Sequence, residues 1–195
     1  MADLVLFERR GSAAILTINR PDRRNALSRA LIAALSDAFT RAAADDARSV
    51  ILTGTGPAFC AGMDLDELRG TLGDEADMVW SDAAALSKLY EQIYTLPKPT
   101  IAAVNGAAVA GGAGFVTVCD LAVAVTDAKF GYPEVRRGLV AAMVMPHLLR
   151  HVAERTARWL LLTGELISAD EARHAGLINA VTAKETLLDT AIAWS

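Results

Sequence analysis

The sequence predicts an α/β domain. Apolar runs of strand length recur along the chain, and stretches with apolar residues at spacings of three and four lie between them. The order strand, helix, strand is already established by Thr53. At 195 residues the chain can build one domain with a full core and does not need two.

Residues 4–8 and 13–19 are strand-length runs joined by Arg10-Gly11-Ser12, a hairpin signal, and Pro21 stops the second strand. A helix from Ser28 places Leu31, Leu35 and Phe39 on one face, Asp45-Asp46 mark its end, and residues 49–53 form the next strand. Leu65, Leu68 and Leu72, then Leu86, Leu89 and Ile93, keep helical spacing between Gly62 and Pro97. The acidic interval Gly73-Asp-Glu-Ala-Asp77 between them reads either as a mobile cover over a site or as a solvated connection. Residues 100–104 form a strand, and residues 112–120, apolar nearly all round, form a helix buried in the core. Residues 121–125 are again a strand, with a short one at 128–131 before Tyr132-Pro133-Glu134. Ser168-Ala-Asp-Glu171 is a capping box with Gly176 as the helix stop, and Thr182-Ala-Lys-Glu185 is a second box that opens the last helix. No internal repeat at a fixed period is visible.

A net charge of −4 carries no electrostatic footprint for nucleic acid. Cys60 and Cys119 each sit inside an apolar run, which reads as two buried, reduced thiols in a cytoplasmic protein. Met1-Ala-Asp-Leu4 lacks the basic region and apolar core of a secretion signal. Residues 99–119 are uncharged, but their glycines and their Ala/Val composition fit strand, turn and buried helix better than a membrane span.

Two stretches, residues 59–65 and 108–115, share one design: an apolar run breaks at small residues and resumes as a helix. Backbone N–H groups at such a helix start face outward and hold negative charge, so two of them could converge on one oxygen as an oxyanion hole. Other chemistries lack their cues. There is no G-x-S-x-G elbow and no phosphate loop, and Ala110-Gly-Gly-Ala-Gly114 is not the dinucleotide fingerprint. His147 and His151 have zinc-ligand spacing, but Leu148 stands where a metalloprotease needs Glu and no third ligand presents itself, so they read as helix-surface histidines near Arg150. No metal is expected. Glu134 follows Pro133 among aromatic neighbours; it is either shielded, with a raised pKa suited to proton transfer, or exposed and paired with Arg136 or Arg137.

Several motifs, taken in order, resemble the enoyl-CoA hydratase/isomerase, or crotonase, family over nearly the whole chain. They are Asn19-Arg-Pro-Asp-Arg-Arg-Asn-Ala-Leu27, Leu52-Thr-Gly-Thr-Gly-Pro-Ala-Phe-Cys-Ala-Gly-Met-Asp-Leu65, Pro97-Lys-Pro-Thr-Ile-Ala-Ala-Val-Asn-Gly106, Ala110-Gly-Gly-Ala-Gly114, Cys119-Asp120, Pro133-Glu-Val135 and Leu162-Thr-Gly-Glu165 with residues 172–179. The resemblance implies a ClpP-like spiral of repeated ββα units over residues 1–182, with 183–195 opening a C-terminal helical trimerisation region that is cut short. It implies an acyl-CoA thioester as substrate, with coenzyme A arriving on that substrate rather than as a separate cofactor, and a homotrimer or homohexamer.

By the same resemblance, the N–H groups of Met63 and Gly111 hold the thioester oxygen and Glu134 moves protons. Arg24, Ala26, Ala61, Asp64 and Leu65 line the CoA path, with arginines near the 3′-phosphate end. One position departs from the pattern. Hydratases of the family carry a second glutamate three residues after the second oxyanion glycine, and here that residue is Gly114. Single-base isomerisation by Glu134 is therefore preferred over hydration, with decarboxylation and acyl-CoA binding without turnover as further readings. Asp64, Glu67, Asp74 or Glu75 are candidate substitutes if the segment between 63 and 80 folds over the site.

Overall fold

The computed structural model describes residues 3–71 and 76–195. Two sheets organise the chain. The first has six strands in the order β1 (Val5–Arg10), β2 (Ala13–Ile18), β3 (Ser49–Gly54), β5 (Thr100–Val104), β7 (Leu121–Val125) and β10 (Ala180–Thr182). Only the β1–β2 hairpin is antiparallel; the other neighbours are parallel. The composition of the strands follows from this. Strands β2, β3, β5 and β7 are Ala, Val, Ile and Leu runs buried almost end to end, as parallel strands covered on both faces must be, while edge strand β1 is largely exposed.

The second sheet is short and has the order β4 (Ala58–Cys60), β6 (Ala107–Val109), β8 (Lys129–Gly131) and β9 (Leu166–Ser168). Each of β3, β5 and β7 passes within a few residues into β4, β6 and β8 respectively, and a helix or helical turn follows. This is the repeated ββα spiral. The helices are α1 (Arg29–Ala44), α2 (Leu65–Thr71), α3 (Ala76–Tyr94), α4 (Gly111–Val118), α5 (Met145–Leu148), α6 (Glu154–Thr163), α7 (Ala169–His174) and α8 (Leu187–Ala193). A 3-10 turn at Pro133–Arg137 stands where the third unit's helix would start.

Local chemistry explains most of the boundaries. Ser28 caps α1 by accepting from the Leu31 amide at 3.1 Å. The Ser168–Glu171 capping box opens α7 with both of its reciprocal bonds. Helix α4 is buried at every residue, as its nearly all-apolar composition requires, and its one polar side chain, Thr117, donates to the Gly114 carbonyl at 2.9 Å. The box expected at Thr182–Glu185 does not form. Thr182 Oγ1 bonds Thr186 Oγ1 instead, a 3-10 turn occupies Lys184–Thr186, and α8 starts at Leu187. The histidine expectation holds in part, for His147 on α5 near Arg150 but not for His151. Helix α5 is a single turn that ends before His151, whose Nε2 lies 2.8 Å from the Thr117 carbonyl, and His147 is half-buried beside Tyr90 and Tyr94. Both cysteines are buried and unpaired, and burial pushes each thiol up to about 12. Among the described residues no helix is long and apolar enough to cross a membrane.

Candidate active site

Three neighbouring parallel strands, β4, β6 and β8, end side by side, and the chain leaves each end through a stretch singled out by sequence. Met63 follows β4, Gly111 follows β6 and Glu134 follows β8. A crevice beyond the carboxyl ends of parallel strands is where open α/β sheets place their ligands. The three ends are locked together. The Ala110 amide donates to the Gly131 carbonyl at 2.9 Å. Gly62, at φ +84°, lies so close to the next strand's exit that a Cβ there would sit 2.8 Å from Ala110 Cβ and 3.3 Å from the Gly111 nitrogen.

The direction of the Met63 N–H follows from its neighbours. Leu27 donates to the Gly62 carbonyl at 2.8 Å and accepts from the Asp64 amide at 2.9 Å, so the bridge uses the residues on either side of Met63. The Met63 N–H therefore points away from Leu27, and it has no partner among the described residues. Gly111 is the first residue of α4, where an amide has no intrahelical acceptor. Ala110 before it adopts φ +54°, ψ −125°, a conformation normally left to glycine that costs of the order of 1–3 kcal/mol. Two main-chain donors thus flank one cavity of about 1110 Å³, which Met63, Gly111 and Glu134 all line.

Glu134 is half-buried, and its Oε2 is buried without a hydrogen-bond partner. Burial pushes its carboxyl above the ordinary glutamate range; a backbone hydrogen bond and the Arg137 charge pull it back only in part. The exposed, ion-paired alternative does not hold: Glu134 is half-buried and forms no ion pair among the described residues, Arg136 turns to the Thr163 carbonyl at 3.2 Å and to Glu165 at 3.9 Å, and Arg137 acts on it through its charge alone.

The residues expected along the CoA path, Arg24, Ala26, Ala61, Asp64 and Leu65, line the same cavity. Arg24 has no ion-pair partner among the described residues, whereas Arg23 pairs with Asp66 at 2.8 Å. Asp64 is not a free carboxylate. Its Oδ2 accepts from Arg20 at 2.6 Å and its Oδ1 from the Asp66 amide at 3.0 Å, which ties the Arg20–Ala26 loop to the start of α2. Glu67 accepts from the Arg29 amide at 2.8 Å, and Asp82, another cavity residue, holds Arg29 through both oxygens. Asp64 and Glu67 are therefore committed elsewhere. Asp74 and Glu75 lie outside the described residues.

The sequence reading missed the wall contributed by α3 and by the segment after Glu134. Leu86 and Tyr90 from α3, with Val140 and Val144, also line the cavity. A signal for Tyr90 was present: it lies four residues after Leu86 on the apolar face that also carries Leu89 and Ile93.

Known proteins share this fold and sequence pattern. The enoyl-CoA hydratase/isomerase family model matches residues 8–195. A Thermus thermophilus protein with a provisional enoyl-CoA hydratase name is 44% identical over 183 residues, covering 93% of this chain and 72% of the relative. The 2,3-dehydroadipyl-CoA hydratase of Escherichia coli K12 is 36% identical over 199 residues, covering 98% and 74%. The crystal structure of a Mycobacterium smegmatis enoyl-CoA hydratase superposes with a TM-score of 0.93 at 40% identity, over 98% of this chain and 74% of that one. These matches define an acyl-CoA-processing enzyme of the crotonase fold. The chain belongs to the enoyl-CoA hydratase/isomerase family.

Proposed function

We propose that this chain moves the double bond of an enoyl-CoA by single-base proton transfer. Glu134 takes a proton from C2 of a 3-enoyl-CoA. The charge that develops on the thioester oxygen is held by the Met63 and Gly111 N–H groups, and the same carboxyl returns a proton at C4, leaving the 2-enoyl-CoA. Preorganised main-chain donors suit this step because they need no reordering as the charge appears. Arg24, Ala26, Ala61, Asp64 and Leu65 form the CoA path, with the unpaired Arg24 offered to a phosphate and Asp64 acting by holding the loop. No cofactor beyond the substrate's own coenzyme A enters this reading.

One observation carries the preference for a single base. Glu134 lines the cavity and its Oε2 is buried without a hydrogen-bond partner, while of the other cavity carboxylates Asp64, Asp66 and Asp82 are held by arginines and Asp22 is exposed. The names of the relatives support a second reading, hydration, which needs another acid–base group. Purified protein offered a 3-enoyl-CoA and a 2-enoyl-CoA separates the readings: isomerisation should outpace water addition. A dominant 3-hydroxyacyl-CoA product would favour hydration, and binding with neither product would favour a non-catalytic role.

Assembly into a homotrimer or homohexamer belongs to the same reading. Val140, Trp80 and Leu162 are 83%, 74% and 71% exposed, which is apolar surface that an assembly would cover. The two free, buried thiols support a cytoplasmic setting.

A further inference from the structure

Gly114 faces a filled space. A Cβ built on it would lie 2.4 Å from Tyr90 Oη, 2.6 Å from Tyr90 Cζ and 2.7 Å from Val144 Cγ1. Tyr90 and Val144 both line the cavity. Tyr90 reaches this place from α3 and is held there. Its ring is 1% exposed and meets Phe115 edge-on at 5.5 Å, and its hydroxyl donates to the Gly111 carbonyl at 2.6 Å. Burial holds the phenol well above its usual range, so the hydroxyl remains a neutral donor.

We propose that Tyr90 sets the reaction the cavity can run: its phenol fills the volume that a side chain at position 114 would need, and its hydroxyl positions the first turn of α4. This rests on the single-base reading above, in which position 114 has no acid–base role. The space for a second carboxylate is then closed by packing, and changing Gly114 alone cannot reopen it. The hydrogen bond matters at Gly111 because that residue has no side chain to restrain its backbone. Holding its carbonyl fixes the peptide next to the one whose N–H faces the substrate. Tyr90 is thus a positioning residue for the donor and a steric determinant of reaction type.

Thermal unfolding of wild type, Gly114→Ala, Tyr90→Ala and the double variant tests the steric half without any activity. Gly114→Ala should lower Tm by about 4 °C in wild type, the cost of overpacking, and should cost clearly less when Tyr90 is Ala, where of those three atoms only Val144 Cγ1 still stands against the new methyl. Equal losses in both backgrounds would overturn it. Tyr90→Phe, which keeps the ring, tests the positioning half: kcat should fall about tenfold, the loss of one hydrogen bond, with KM unchanged. No loss, or a loss confined to KM, would overturn it. Tyr90→Ala/Gly114→Glu should add water to a 2-enoyl-CoA faster than Gly114→Glu alone, and equal rates would overturn the claim about reaction type. A wild type that fails to isomerise defeats the single-base reading and leaves the thermal cycle to decide the steric half.

Discussion

The Arg20 guanidinium donates to both the Ala26 carbonyl and Asp64 Oδ2, at 2.9 and 2.6 Å, and this joins the two stretches that frame the cavity mouth. Asp64 also accepts from the Asp66 amide to open α2. One carboxylate therefore fixes the exit of β4, and with it the place of Met63. Asp64→Asn is expected to cost about 2 kcal/mol, the worth of a charge-assisted hydrogen bond, or a Tm loss of about 4–8 °C. Burial alone would raise the Asp64 carboxyl, but the Arg20 hydrogen bond and charge and the helix amides outweigh it and hold it below the ordinary range. This stabilisation is present above the unfolded-state aspartate pKa and is lost as pH falls through the lower folded value. Urea unfolding across pH should show wild type and variant converging in acid; a constant gap would contradict the assignment.

Glu134 has the opposite sign. Its folded-state pKa is raised, so the fold binds more protons than the unfolded chain through that window, and stability falls as pH rises across it. Glu134→Gln should therefore melt higher than wild type at neutral pH while isomerising about 10²–10⁴-fold more slowly. The wild-type rate should decline on the acid side at a pH above the ordinary glutamate range. An unchanged or lower Tm at neutral pH would show that the carboxylate is not strained by burial.

Ala110 holds its positive φ directly before the Gly111 amide. Replacing it with glycine relieves that strain. Ala110→Gly should stabilise by about 1 kcal/mol, although the same change in a regular helix interior destabilises by a similar amount. Differential scanning calorimetry gives the sign.

Gly112 permits the contact between α4 and β4, since a Cβ there would lie 2.1 Å from the Cys60 carbonyl oxygen. Gly112→Ala should cost about 1–3 kcal/mol and lower kcat, because the two donors would be pushed apart. Full activity in a stably folded variant would argue against a paired-donor site.

The strands and helices that carry their own burial pattern were legible in the sequence. Residues 49–53, 100–104 and 121–125 reappear as β3, β5 and β7, and the Leu31–Leu35–Phe39 face as α1. The short strands β9 and β10 left no pattern, because three residues are too few to show a period. The spiral itself escaped periodicity since its units begin at Ser49, Thr100 and Leu121, unequally spaced by α2 and α3 within the first. The cavity's strand-end residues could be named because turn chemistry and family motifs mark them. For Tyr90 the spacing marks only a place on the apolar face of α3; its role exists where α3 crosses the start of α4, a long-range contact that no local spacing encodes.

The central claim is that one carboxyl moves the proton. A 3-enoyl-CoA carrying deuterium at C2, converted in ordinary water, tests it most directly. A single base predicts that part of the label taken from C2 reappears at C4 of the same molecule, and that Glu134→Gln abolishes this transfer. Complete loss of label to solvent with undiminished turnover in Glu134→Gln would contradict it.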